Sequence, residues 1–517
     1  MVELNGLEQY RNSANTRAYT SNHYNEESNV SLMKASVKAP SKASLLCDSQ
    51  RLAEALELTQ SQPPPVTVTP APAHQGILGR MRRAQNNLLS VWRERDYSVY
   101  TSNMKLVNQD YVLCNSPDSV RKVFLEEHDN YDRKSPQMRK ALNPLLDDGL
   151  FISDGELWRE RRKQCAPSLS NNLLPGFCSI MTDAAMETAK QWAEHPQDEP
   201  IDMLTEMAHL TARIIGRTIF GDDTTDEEAE QVVAGFTEYQ RHSEHLELAD
   251  MVGLPFLNLM GNPLRKRRIR YSADQVHEVI DRIIERSISA PEQHRHSLVN
   301  SFMSTLDGAD GCPMGRKAVR NEAIVMFMAG HETTANALAW CWYLLDYDPR
   351  VMETLQAELD EVLGGREPCY EDVEKLPYTM AVFEEAMRLY PPVPMLSRQA
   401  RGQGQVRNRE VTTGTVLLIS PWLLHRHRKL WDAPEHFVPE RFLPKVPRPD
   451  KFTYLPFSVG HRVCLGKRFG LYEGVLCLAA LAQKYTPQLL PGHRVDIECR
   501  LTLRPKGGLP MLLKSRG

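Results

Sequence analysis

The chain has 517 residues, a hydrophobic fraction of 41 % and a formal net charge of −4, a soluble globular composition long enough for one large domain or several average ones. The near-neutral balance speaks against a nucleic-acid partner, which needs a basic excess or stripe. Ten cysteines, with no C-x-x-C pair and no short-chain disulfide framework, fit a reducing, cytoplasmic setting with most thiols buried as small hydrophobes.

Residues 1–75 are polar, rich in Ser and Asn, and end in a Pro-rich run, "SQPPPVTVTPAPAHQ". This predicts a disordered extension closed by a stiff linker, within which a piece such as "SQRLAEALELTQ" can be helical. No apolar run of about eighteen residues near the start offers a signal peptide or transmembrane anchor. Glu3, Glu8, Glu26 and Glu27 speak against an organelle transit sequence. From 76 to 517 the pattern is that of one predominantly α domain with small β elements. "NMKLVNQDYVLCNS" alternates around turn formers and predicts a hairpin. "SPDSVRKVFLEE" predicts a capped amphipathic helix with Val120, Val123 and Phe124 inward. "LWRERRK" sets Trp158 and Arg162 one helical turn apart.

Further on, "AIVMFMAGHETTANALAWCWYLL" predicts a buried helix with an unsuitable middle. Gly330 inside a helix costs about 1 kcal/mol relative to Ala. Glu332 there needs a hydrogen bond or a proton, and Thr333 and Thr334 can bend the helix. Either local water satisfies these groups, or the helix widens to admit a small ligand, with an alcohol to orient it and an acid to relay protons. "DPRVMETLQAELDEVLGG" predicts a helix from Asp-Pro to Gly-Gly, with Leu355, Leu359, Val362 and Leu363 on one stripe. "EEAMRLYPP" places Glu385 and Arg388 on one helix face, and "PERF" supplies Arg441. "NREVTTGTVLLISPW" and "RLTLRPKGGLPMLLK" predict two more hairpins. In "FSVGHRVCLGKRFG", Cys464 lies between Gly460 and Gly466 and just ahead of a long apolar helix, near its positive dipole end. Phe457 can cover the sulfur, and Arg462 is a cation suited to a carboxylate.

The pattern F-x-x-G-x-R-x-C-x-G, here Phe457, Gly460, Arg462, Cys464 and Gly466, resembles the haem-binding signature of the cytochrome P-450 monooxygenases. The resemblance implies their fold, a triangular helical domain with a β-rich side, and haem b whose iron takes the Cys464 thiolate. A-G-x-[DE]-T-T resembles the family's oxygen-binding segment, implying Thr333 as its alcohol and Glu332 as its proton-delivering acid. Ala329 and Met326 would face the haem; with Ala329 where some fatty-acid ω-hydroxylases carry Glu, no ester link to haem is expected. Glu385, Arg388 and Arg441 resemble a structural triad, while Trp158, Arg162, Arg398 and Arg462 resemble haem-carboxylate anchors. Arg159, Arg161, Lys163, Lys467 and Arg468 would form either a basic face for an acidic electron donor or a merely solvated one. No reductase segment is present, so electrons would come from a separate ferredoxin, flavodoxin or reductase. The substrate, besides O2, would be lipophilic, fatty-acid-like or terpenoid-like, in a pocket built from "NPLLDDGLF", "ELADMVGLPFLNLM", the helix near Met326, "VPML" and "GGLPM". Two alternatives stay open: a peroxide-driven or isomerising haem-thiolate enzyme, and a haem sensor without turnover.

Overall fold

The structure, a computed structural model, describes residues 42–106, 108–221, 225–243, 263–289, 297–304 and 315–516. Its helices are α1 (Lys42–Leu58), α2 (Ile77–Asn86), α3 (Pro117–Arg121), α4 (Pro136–Leu146), α5 (Gly155–Cys165), α6 (Leu174–Glu194), α7 (Met203–Phe220) and α8 (Asp226–Ser243). They continue with α9 (Pro263–Ser289), α10 (Leu298–Ser304), α11 (Arg316–Tyr347), α12 (Pro349–Leu363), α13 (Pro377–Leu389), α14 (Pro421–Leu424) and α15 (Lys467–Ala482).

The helix boundaries follow local chemistry. Helix α12 begins where the Asp348 carboxylate accepts the Arg350 N–H at 3.1 Å and ends at Gly364, a left-handed stop with φ of 57°, as Asp-Pro and Gly-Gly lead one to expect. Ser116 caps α3 in the same way. The strands are β1 (Thr101–Leu106), β2 (Gln109–Cys114), β3 (Ile201–Asp202), β4 (Leu396–Gln399), β5 (Gly404–Val406), β6 (Arg409–Val411), β7 (Val416–Ile419), β8 (Tyr485–Leu489), β9 (Ile497–Cys499), β10 (Leu503–Pro505) and β11 (Pro510–Ser515). They form a four-stranded sheet ordered β1-β2-β7-β4, a three-stranded sheet β3-β11-β8, and two-stranded sheets β9–β10 and β5–β6. The fold is therefore mainly α with small separate sheets.

Of the three hairpins expected, only β1–β2 forms, with Thr101 opposite Cys114. Strand β6 pairs with β5, whereas β7 runs parallel to β2 and antiparallel to β4. Likewise β10 pairs with β9 and β11 with β8 and β3. The turns at Gly414 and Gly507–Gly508, all at positive φ, hand the chain from one sheet to another. Alternation within a strand is the same whichever neighbour it finds.

Part of the region expected as disordered is also structured. Helix α1 covers the helical piece foreseen there, and the Pro-rich stretch is pinned: Val66 donates its N–H to Tyr343 at 3.1 Å and its carbonyl accepts the Tyr390 hydroxyl at 2.8 Å. Two aromatic hydroxyls inside the helical body thus hold a segment whose own apolar contribution is small, with Ala71 buried and Val66 and Val68 packed against the core. Helix α11 runs through that body, buried from Ala318 to Leu345 except around 329–333, and packs along α7. Among the described residues no helix is long and apolar enough to cross a membrane.

Candidate active site

The cysteine loop turns sharply because its glycine can do what other residues cannot. Gly460 has φ of 75°, and a Cβ there would lie 2.1 Å from the Phe124 carbonyl oxygen, so both conformation and close approach demand glycine. The turn closes when the Cys464 N–H donates to the Phe457 carbonyl at 2.9 Å. Gly466 has an ordinary φ of −83°, and a Cβ there would meet nothing within 4 Å. Beside it, Cys464 is exposed. Burial nevertheless raises its thiol pKa, opposed by the Gly466 N–H and the charges of Arg162 and Lys467. The sulfur is thus reachable from outside the protein, and a coordinating metal there would favour the thiolate.

Three cations gather near this loop. Arg398 is 2 % exposed and Lys134 7 %; Arg462 is half-buried. The Arg398 guanidinium donates to the Ser397 carbonyl at 2.9 Å and lies 4.7 Å from the Phe124 ring centre. Lys134 sits 4.4 Å over Phe151. Arg462 donates to the Ser153 carbonyl at 2.7 Å, lies 4.4 Å over Trp158, and its Nε has no partner. Burial, reinforced by the other cations, brings Arg398 down to about 9; burial also lowers Arg462, to about 10, and Lys134 well below the lysine range. Asp132 and Asp154 are the nearby acids, but the Asp132 carboxylate already accepts Arg401 Nε at 2.5 Å and the Gly155 N–H at 2.9 Å, and Asp154 is shared by Arg133 and Arg401. Among the described residues none of the three cations makes an ion pair. Buried cations without counter-charge are costly, and the two carboxylates of haem b are the complement this set lacks. The residues therefore fit the group. Arg162, half-buried on α5, adds its charge to Cys464.

Helix α11 supplies the opposite wall. Ala329 is exposed although the residues just before it, Val325 to Met328, are buried. Thr333 Oγ1 donates back to the Ala329 carbonyl at 2.7 Å, the bond expected of a helix-bending threonine. Met326, expected beside them, is buried at 8 %. Glu332 accepts from Gln240 Nε2 on α8 and from Thr502 Oγ1, both at 2.7 Å, so side chains rather than local water alone satisfy it. Gly330 does not widen the helix: a Cβ there would be 2.6 Å from Ile215 Cδ1 of α7, so this glycine serves helix–helix packing. The two walls meet at Gly470, whose built Cβ lies 3.5 Å from Phe457 and 3.9 Å from Thr334 Oγ1.

The remaining expected groups divide. Arg388 makes a two-pronged pair with Glu385 at 2.6 and 2.7 Å, Arg441 Nε stands 3.5 Å from the same carboxylate, and Glu385 and Arg388 are fully buried. Arg161 leaves the expected basic face: it is buried, 3.1 Å from Asp148 and 3.5 Å from Glu322. Arg159, Lys163 and Lys467 are exposed, with Arg159 paired to Glu156 and Asp129.

A cavity of about 440 Å³ adjoins the site, within the small-molecule range, lined by Trp92, Leu113, Met138, Leu142, Met395 and Leu501 among others. It reaches Glu332 through Gln240, which also lines it, and through Thr502, next to Leu501. Of the expected pocket segments, "VPML" contributes Met395, while the C-terminal contribution is residues 499–501 rather than "GGLPM". "NPLLDDGLF" and Met326 stay out of the lining, and "ELADMVGLPFLNLM" lies outside the described residues. Sequence reasoning missed Lys134, Gln240 and Thr502.

The family model described as Cytochrome P-450 matches residues 63–511. Cyclooctatin synthase of Streptomyces melanosporofaciens is 31 % identical over 408 residues, 78 % of this chain and 86 % of that protein. Carotene epsilon-monooxygenase, chloroplastic, of Arabidopsis thaliana is 28 % identical over 79 % of this chain and 78 % of its own length. Human cytochrome P-450 4V2 is 28 % identical over 76 % of this chain and 78 % of its own.

Proposed function

The chain belongs to the cytochrome P-450 family, and we propose that it hydroxylates a small lipophilic molecule, fatty-acid-like or terpenoid-like, with electrons delivered by a separate ferredoxin, flavodoxin or reductase. Membership makes it a haem-thiolate monooxygenase, an oxidoreductase that uses O2. The balanced reaction is R–H + O2 + two electrons + two protons giving R–OH and water. Haem on a cysteine thiolate supplies the activation of O2; the rest falls to side chains.

In this reading the Cys464 sulfur is the iron ligand, and Phe457, Gly460 and Gly466 shape its loop. Arg398, Arg462, Lys134, Arg162 and Trp158 hold the haem carboxylates. Thr333 orients the small reactant beside Ala329, and the Glu332 carboxyl carries protons inward from the side where Gln240 and Thr502 grip it. The apolar cavity lining supports a lipophilic substrate, and one relative's name specifies monooxygenation of carotene. Residues 76–517 form the haem domain, and 1–75 are an extension whose 48–75 part packs onto it.

The single observation that carries the assignment is an accessible Cys464 on a loop that also carries Arg462, one of three cations that make no ion pair among the described residues. The test is a carbon monoxide difference spectrum of the reduced protein. A far-shifted Soret band is expected for the native chain and its loss for Cys464→Ser; an unchanged spectrum in that variant refutes the reading. Turnover with a reductase and O2, but not with peroxide alone, separates it from the peroxide-driven alternative.

A further inference from the structure

The cavity has two chemically different ends. Its inner end lies at Gln240 and Leu501, beside Glu332. Its other end is bounded by α2 and by the segment around Trp92–Asp96, and there the lining turns cationic, with Arg80, Arg95 and Lys105. Arg80 is half-buried. One of its terminal nitrogens lies 3.7 Å from Met104 Sδ, a weak acceptor, and its Nε has no partner among the described residues. The acids of this segment are already shared: Glu94 pairs with Arg428, one Asp96 oxygen accepts the Arg93 N–H at 2.8 Å, and the other lies 3.7 Å from Arg95 Nε. Arg93 spends a terminal nitrogen on the Gln75 carbonyl at 3.0 Å and leaves its own Nε without a partner. Lys105 is exposed and 3.8 Å from Asp110, and Arg500, also in the lining, is 3.1 Å from Glu498.

We propose that Arg80 is the anchor for a carboxylate on the substrate, so that the substrate is a long-chain or isoprenoid acid bound with its head group at α2 and its tail toward Glu332. A guanidinium in an apolar wall, with an idle Nε and a thioether as neighbour, is matched by a carboxylate that accepts two parallel N–H bonds. The surplus of arginine over acid in that corner makes the same demand. Arg500, beside Leu501 at the inner end, is matched by Glu498, so the unmatched charge of a cavity about the size of a chain stands at the α2 end and sets orientation as well as affinity. Oxygen is then inserted at carbons remote from the carboxylate. The inference rests on the proposal that this cavity serves the Cys464 site.

The experiment uses the haem-loaded protein and hexadecanoic acid, its methyl ester and hexadecylamine, with binding read by calorimetry and by the haem spin-state shift. The acid should bind about tenfold to a hundredfold more tightly than the ester. Arg80→Gln should erase that preference while leaving ester affinity and thermal unfolding unchanged, and Arg80→Glu should transfer the preference to the amine. Equal binding of acid and ester, or an acid preference that survives both substitutions, overturns the anchor and leaves the monooxygenase reading standing. Binding of none of the three overturns the cavity assignment and the anchor with it.

Discussion

At the scale of single residues, the acid and alcohol of α11 are held quite differently, and their variants should fail differently. Thr333 spends its hydroxyl proton on the Ala329 carbonyl at 2.7 Å, leaving the oxygen lone pairs outward, whereas Glu332 is clasped by two side chains. Thr333→Ala removes an orienting group but no proton carrier: electron donor should be consumed at a near-native rate, with more of it ending as hydrogen peroxide than as product. Glu332→Gln keeps the shape and removes the titrating group. Turnover should fall about a hundredfold, the scale of a lost general acid–base group, with a larger solvent isotope effect and unchanged substrate affinity. Measuring donor consumed, peroxide and product for both variants checks this; equal behaviour of the two would refute the division of labour. Glu332 and Thr333 were legible because an acid and an alcohol in a buried helix violate its pattern. Lys134 was not. In "YDRKSPQ" it reads as a polar residue before a Ser-Pro helix start, and only the packing of Phe151 and the neighbouring arginines reveals its burial.

At the scale of elements, the glycines of α11 and of the cysteine loop set different tolerances. A methyl at Gly330 would meet the tip of Ile215, a side chain that can be shortened, whereas one at Gly460 would meet the Phe124 backbone. Gly330→Ala should therefore destabilise by about 1–3 kcal/mol, the usual range for overpacking, and Ile215→Val or Ile215→Ala should restore part of that loss. No side-chain change should rescue Gly460→Ala. Denaturant unfolding of the single and double variants gives the coupling energy, and simple additivity at Gly330 and Ile215 would show that the clash is relieved elsewhere. Element type was legible wherever capping and period agreed, as in α12 with Asp348 and Gly364. Strand partners were not: Val416 to Ile419 carries the same alternation whether it folds back on Arg409 or pairs with β2 and β4, and the choice is made by β2, far away in the sequence, and by β4, close before it. The Glu385–Arg388 pair was legible by spacing, but its burial under the Arg441 turn is a property of the packed molecule.

At the scale of the whole molecule, burial of titratable groups sets how stability depends on pH. Burial raises Glu473 to about 8 and Glu322 to about 7. Neither Glu473 oxygen has a hydrogen-bond partner among the described residues, although Thr334 lies near, while Glu322 accepts the Leu150 N–H at 3.0 Å. Burial also lowers His128 and His331 to about 4 and His425 to about 3. The two sets act in opposite directions. An unfolded chain gives up its Glu protons near 4.5 while the folded one keeps them, so the folded state binds more protons and stability falls as pH rises through about 7 and 8. The histidines take up protons near 6.5 only when unfolded, so stability falls as pH drops below that value. Above pH 6.5 the histidines are neutral in both states, and the buried acids act against Lys134, whose lowered pKa makes stability rise with pH. The two acids alone contribute a decline of about 3 kcal/mol between pH 6.5 and 8.5, since each unit of raised pKa is worth about 1.4 kcal/mol. Glu473 has the higher folded pKa, so Glu473→Gln should remove most of the acids' share of the alkaline decline and should also steepen the acid limb, because this carboxyl's contribution already falls from pH 4.5 upward. Urea unfolding of the native chain and the variant at pH 5.5, 6.5 and 8.5 makes the comparison. An alkaline decline that persists in Glu473→Gln would mean that the folded protein ionises this carboxyl without penalty, and that α15 carries a charge in the middle of its apolar packing.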